Sequence, residues 1–152
     1  MSKAIHPIAG TVALMTILSF WLATAWSEAF AGEQAVTTVK TLVPYGFFVL
    51  IPALMAAGGS GFRLGRRMRG PLIDAKKKRM PFIAANGILI LIPSALYLSF
   101  KAQAGTFDME FYVIQGIELI AGAANITLLS LNMRDGLRLS RRRARRPDAS
   151  GA

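Results

Sequence analysis

The stretch KKKRMPFIAANGILILIPSALYLSFK, residues 76–101, sets twenty uncharged, mainly apolar residues, Pro81 to Phe100, between four cations and one. A hydrocarbon layer about 30 Å thick is crossed by roughly 20 such residues in a helix. In oil, backbone N–H and C=O groups must bond one another, which an α-helix achieves within a single segment. Working outward, three more runs have the same character: Ile8–Trp26, Thr41–Ala57 and Phe111–Leu131. None contains Lys or Arg, and only the last contains an acid, Glu118. The expected fold is therefore all-α, an integral membrane four-helix bundle. Its transmembrane domain covers residues 1–139, and residues 140–152 form a basic, disordered tail.

Composition points the same way. Hydrophobic residues make up 53% of the 152, while Lys plus Arg outnumber Asp plus Glu by 18 to 8. A soluble core of this size could hardly bury so much apolar surface. The chain has no cysteine and one histidine, His6. That excludes disulfides, thiolate chemistry and zinc sites built from several Cys or His side chains of one chain.

The charges between the runs set orientation. Eight cations lie between the second and third runs, seven follow the fourth, and Lys3 precedes the first. The remaining connections hold only Lys40 and Lys101, beside Glu28, Glu33, Asp108 and Glu110. Short basic segments resist translocation, so both termini and the long 58–80 connection are expected in the cytoplasm of a bacterial-type inner membrane. Trp21, Trp26, Phe107, Phe111 and Tyr112 then fall at the outer boundary, where amphipathic rings settle. Lys3, the first apolar run and Ala29-Phe30-Ala31 also look like a secretory signal. The run is longer than a signal core, however, and Trp21, Trp26 and Glu28 suit a cleavage region poorly, so a retained span is expected.

Gly46-Phe47-Phe48-Val49-Leu50-Ile51-Pro52 is echoed by Gly87-Ile88-Leu89-Ile90-Leu91-Ile92-Pro93 in the next, oppositely directed run. An inverted duplication of the transporter kind would give this; so would chance between two apolar segments. Pro52 and Pro93 each free a backbone carbonyl and are expected to kink their helices. The small residues Ala56 to Gly61 and Ala121 to Ala124 suit close helix packing, within the bundle or across a homodimer.

In the fourth run, Gln115, Glu118, Gly122 and Asn125 recur at helical spacing and share one face. An intramembrane carboxyl marks a proton path, a cation site or a buried hydrogen bond. With no basic side chain expected inside the spans, Glu118 is read as a neutral acid, with Gln115 and Asn125 completing an intramembrane polar site. Asn86, Asn132 and His6 form a second polar group nearer the cytoplasmic boundary. His6-Pro7 opens the first run, with Pro7 expected in the first helical turn. This start resembles that of some membrane b-type cytochromes, and the resemblance implies His6 as an axial ligand to haem b. Those proteins carry histidine pairs inside the bundle; here the second ligand would be Met, or His6 of another protomer. An interfacial cap is the plainer role for His6, and no cofactor is expected otherwise.

Gly136 is expected to stop the fourth helix. Beyond it, Arg141, Arg142, Arg143, Arg145 and Arg146 are expected to meet the bilayer's anionic lipid head groups. They lack the aromatic platform that nucleic acid binding would use. No nucleophilic triad or phosphate loop is present, so an enzyme is not expected. The leading expectation is an accessory or assembly subunit of a larger membrane complex; the alternatives are a small proton- or cation-coupled transporter centred on Glu118 and a b-type haem protein using His6, possibly across a dimer.

Overall fold

The computed structural model describes residues 2–66 and 70–144, with side chains over 6–63 and 70–141. Among the described residues every regular element is helical. Helix α1 spans Ser2–Phe30, α2 Glu33–Arg66, α3 Pro71–Asn86, α4 Ile92–Gln103 and α5 Met109–Ala144, and a π-helical turn, Gly87–Leu91, joins α3 to α4. Among the described residues four units are long and apolar enough to cross a membrane: α1, α2, the α3–π–α4 rod and α5.

The helices run well past the ends that hydropathy suggests. With 34 and 36 residues, α2 and α5 are about 51 and 54 Å long, against a hydrocarbon layer of about 30 Å. Hydropathy marks where a chain leaves oil, not where its helix ends, and Arg, Lys and Leu are all good helix formers. The structure moves several boundaries accordingly. The long basic connection is mostly helical, since α2 reaches Arg66 and α3 begins at Pro71. Gly70 makes the turn at φ 142°, which a residue with a Cβ rarely adopts. Gly136 does not stop the fourth span, and α5 continues to Ala144. A mid-helix glycine costs about 1 kcal/mol relative to alanine, too little to end a helix whose neighbouring Asp135 is anchored. Pro7 sits inside α1 rather than in its first turn. Residues 140–144, expected in the tail, extend α5; residues 145–152 lie outside the described residues.

The prolines act differently from one another. Helix α2 stays α-helical through Pro44 and Pro52. In the third span the hydrogen bonding shifts just before Pro93: the Ile92 N–H bonds the Gly87 carbonyl, five residues back. Pro93 has no N–H to offer the carbonyl four residues before it. A π turn accommodates that gap while the backbone keeps helical angles at Asn86 and Ile92. The two echoed segments thus have different local structures.

Helix α1 packs against α2 and α5, and the third span packs against the same two. Helices α1 and the third span therefore face each other across one diagonal, and α2 and α5 across the other. Glycines set the closest approaches. A Cβ on Gly46 would fall 1.9 Å from the Phe20 ring, one on Gly122 would lie 2.9 Å from Trp21, and one on Gly61 would lie 2.9 Å from His6. The Trp21 indole N–H also donates to the Leu119 carbonyl at 2.9 Å, which fixes α1 on α5.

Two apolar clusters fill the bundle. Ala13, Ile17, Leu50, Ala53, Ile83 and Leu129 form one. Val36, Leu98, Ala102 and Phe111 form the other, near the α1–α2 and α4–α5 turns. Buried with them are Thr24, Ser27, Lys40, Ser99, Gln115, Asn125, Asn132 and Asp135, while Phe48, Phe100 and Ile120 lie on the outside, each at least 75% exposed. Polar groups inside and large apolar groups outside reverse the soluble pattern and suit a bundle surrounded by hydrocarbon.

Candidate functional site

The polar side chains gather in three layers along the bundle. The first lies toward the α1–α2 turn. Lys40 projects from α2, seven residues in from Glu33, and donates from Nζ to Oε2 of Glu118 on α5. Lys40 is 1% exposed and Glu118 13%. The bond crosses the α2–α5 diagonal, so it runs through the bundle interior. This corrects the expectation that Glu118 lacks a basic partner within the spans. Lys40 falls inside α2 because that helix starts at Glu33, and its four-carbon stem carries the ammonium into the core. The Lys40–Glu118 pair has no net charge whichever partner holds the shared proton.

Two residues complete this layer. Gln115, one turn before Glu118 and 3% exposed, donates from Nε2 to Glu118 Oε2 at 3.4 Å. Glu28, on α1, acts electrostatically on both Lys40 and Glu118. Among the described residues, the Glu28 Oε1 and Gln115 Oε1 atoms are buried and meet no hydrogen-bond donor. Beside this layer a cavity of about 60 Å³ is walled by Glu118, Thr24, Trp21, Leu91, Ala95 and Gly122, among others. By volume that is room for a few water molecules, but apolar side chains form most of the wall and only Glu118 and Thr24 offer polar side-chain oxygens. Leu91 belongs to the π turn, so the π-helical stretch of the third span borders the same space.

The second layer is an amide pair. Asn86 donates from Nδ2 to Asn125 Oδ1 at 2.9 Å and to the Ala121 carbonyl at 2.8 Å, and Asn125 donates to the Ile83 carbonyl at 3.4 Å. Asn125 is 1% exposed. It lies seven residues beyond Glu118, about 10 Å along α5. The structure thus joins Gln115 to Glu118 but puts Asn125 with Asn86, one π turn from the cavity.

The third layer lies at the lysine- and arginine-rich end. His6 donates from Nδ1 to the Ala57 carbonyl at 2.9 Å, with Ser60 Oγ at 3.1 Å. A carbonyl can only accept, so Nδ1 carries the proton and Nε2 is free to accept. It does so from Lys76 Nζ at 2.8 Å, a bond spanning the α1–α3 diagonal. Asp135, 2% exposed, accepts from Arg79 at 2.8 Å. Asn132 instead meets Met80 Sδ at 3.4 Å. With both ring nitrogens of His6 engaged, a haem iron would have to displace Lys76 to reach Nε2. Arg141 is exposed on α5. Of Arg142 and Arg143 only the backbone is described, and Arg145 and Arg146 lie outside the described residues.

Reasoning from sequence missed Lys40 and Glu28. One signal was available for Lys40: the run Thr41–Ala57 holds 17 residues, short for a 30 Å layer. Starting it at Val36 restores the length and brings Lys40 inside. Nothing local marks Glu28, which joins the layer because α1 lies against both α2 and α5.

No family model, curated protein or solved structure matches the chain.

Proposed function

We propose that this chain is a small, non-enzymatic, multi-pass protein of a bacterial-type inner membrane, working as a proton- or cation-coupled carrier centred on Glu118. Sixteen of the 18 basic residues on one side support termini and an α2–α3 connection in the cytoplasm. Arg138 and Arg141, exposed at that end, would meet anionic head groups there.

One observation carries the carrier reading: the diagonal Lys40–Glu118 pair borders a water-sized cavity that also touches the π turn of the third span. Ionisable groups inside a membrane are expensive, and where they occur they mark ion paths and proton relays. A π turn inside a helix recurs at functional sites, and here it borders the same space. An accessory subunit would need only packing faces, and it leaves a buried acid–base pair in the bundle interior without a use. The ion would enter past half-buried Glu28, exchange at Glu118 against Lys40, and leave past Asn86 and Asn125 toward the basic end.

Purified protein in sealed vesicles, with an imposed pH or cation gradient, tests this. Ion flux that disappears in Glu118→Gln is expected. Flux unchanged by that substitution, or no flux from the unsubstituted protein, would refute the carrier role.

A further inference from the structure

Three aromatic rings and one carboxylate border the cavity beside the Lys40–Glu118 pair: Phe20 and Trp21 from α1, Phe47 from α2 and Glu118 from α5. Two of the rings are held in place. Trp21 lies against Gly122, and its N–H is tied to the Leu119 carbonyl. Phe20 lies against Gly46. The faces of such rings carry partial negative charge and attract cations. Glu118 adds a full charge. Among the described residues its two donors, Lys40 Nζ and Gln115 Nε2, both go to Oε2. Oε1 receives neither and is free for a ligand in the cavity that Glu118 borders.

The rest of the wall says which kind of cation fits. Among the described residues Thr24 brings the only other side-chain oxygen, whereas hard metal ions take six or more oxygen ligands. A primary ammonium carries three N–H donors, more than two side-chain oxygens can satisfy while one of them is shared with Lys40. A quaternary ammonium has no N–H, and its charge is spread over methyl groups that suit Leu91 and Ala95 of the third span. Size agrees as well. At about 10–15 Å³ for each water-sized group, a cavity of about 60 Å³ takes roughly four to six heavy atoms.

We propose that this cavity binds one compact quaternary ammonium ion, the size of tetramethylammonium, between the Phe20, Trp21 and Phe47 rings and Glu118 Oε1. Lys40 is its rival for the charge on Glu118, so removing that ammonium tightens binding. Binding makes and breaks no covalent bond and moves no proton. The inference rests on the carrier reading for its use, and it names the substrate class.

Tetramethylammonium chloride titrated into the full chain in lipid vesicles tests it without requiring transport. Trp26, exposed and stacked on Phe30 away from the cavity, is replaced by phenylalanine so that Trp21 is the reporting indole. A saturable change in Trp21 emission is expected. Equal sodium chloride should not give it, nor should tert-butanol, an uncharged molecule of the same size. Glu118→Gln should weaken binding by more than about tenfold and Phe47→Leu by roughly 2- to 30-fold, while Lys40→Met should tighten it. No saturable response in the folded Trp26→Phe protein would overturn the proposal even if no further variant folds. So would an equal response to tert-butanol, or undiminished binding in Glu118→Gln. Binding without ion flux would leave the site standing and remove the carrier role. Proton or sodium flux without this binding would do the reverse.

Discussion

Replacing Lys40 with methionine keeps most of the side chain's volume while removing its charge, and the geometry says how much that should cost. Lys40 is 1% exposed and Glu118 13%, so either group stays largely buried when the other is removed. Removing one partner of a buried ion pair typically costs about 3–5 kcal/mol, because the remaining charge stays buried and uncompensated. At roughly 2–4 °C per kcal/mol for a chain of this size, Lys40→Met should melt about 6–20 °C below the parent. Glu118→Gln should cost less, because Glu28 also acts electrostatically on the Lys40 ammonium. The double variant Lys40→Met/Glu118→Gln should be less destabilised than the sum of the two, with a coupling of at least about 1 kcal/mol, whereas independent sites add to within about 0.5 kcal/mol. Thermal unfolding in mild detergent, followed by circular dichroism, gives the melting shifts, and titration with a denaturing detergent gives the free energies. A Lys40→Met protein as stable as the parent, or single effects that simply add, would refute the buried diagonal pair.

Three further outcomes follow from other contacts. Gly46→Ala should destabilise the bundle by about 1–3 kcal/mol, since its Cβ would fall 1.9 Å from the Phe20 ring; combining it with Phe20→Leu should recover part of the loss in the same melting assay. Asp135→Asn should leave the Arg79 guanidinium without its buried counter-ion, and a larger melting loss than for Asp74→Asn, at an exposed position, is expected. At the α5 N-terminus the Phe111 N–H donates to Asp108 at 2.9 Å. The Lys101 ammonium, followed by that N–H, holds the Asp108 carboxyl below its ordinary range. A depressed carboxyl stabilises the folded state above its unfolded value of about 3.9 and loses that contribution as pH falls through the folded one. Amide exchange at Phe111 should therefore be protected at neutral pH and speed up, relative to mid-helix amides, in that acidic window; protection unchanged there would count against the cap.

The Lys40 and Gly136 cases show where reading along the chain stops short. Hydropathy places the centre of each span well, because a long apolar run has one cheap environment. It places the ends poorly, since helical hydrogen bonding continues beyond oil wherever good helix formers follow. Lys40 illustrates the consequence: about two turns of extra helix, from Glu33 to Thr41, move a cation from the surface into the core. Gln115 and Glu118 were legible as neighbours because three residues along a helix nearly complete a turn. The separation of Asn125 from them was not legible, because it depends on Asn86 arriving from another helix. His6 was legible as a lone titratable group at one end; its bonds to Ala57 and Lys76, 51 and 70 residues away, were not.

By itself the sequence determined that the chain is helical, that four segments are apolar and long enough to cross a membrane, and that its cations are segregated between them. Each of these depends on local composition and on the cost of unpaired backbone groups in oil. The tertiary structure decided which helices stand diagonally opposite, and hence that Lys40 reaches Glu118, that Glu28 adds a second carboxylate, and that Lys76 closes on His6. Partners drawn from separate helices meet only once packing fixes rotation and depth, and glycines at 46, 61 and 122 set that packing through contacts no single segment contains.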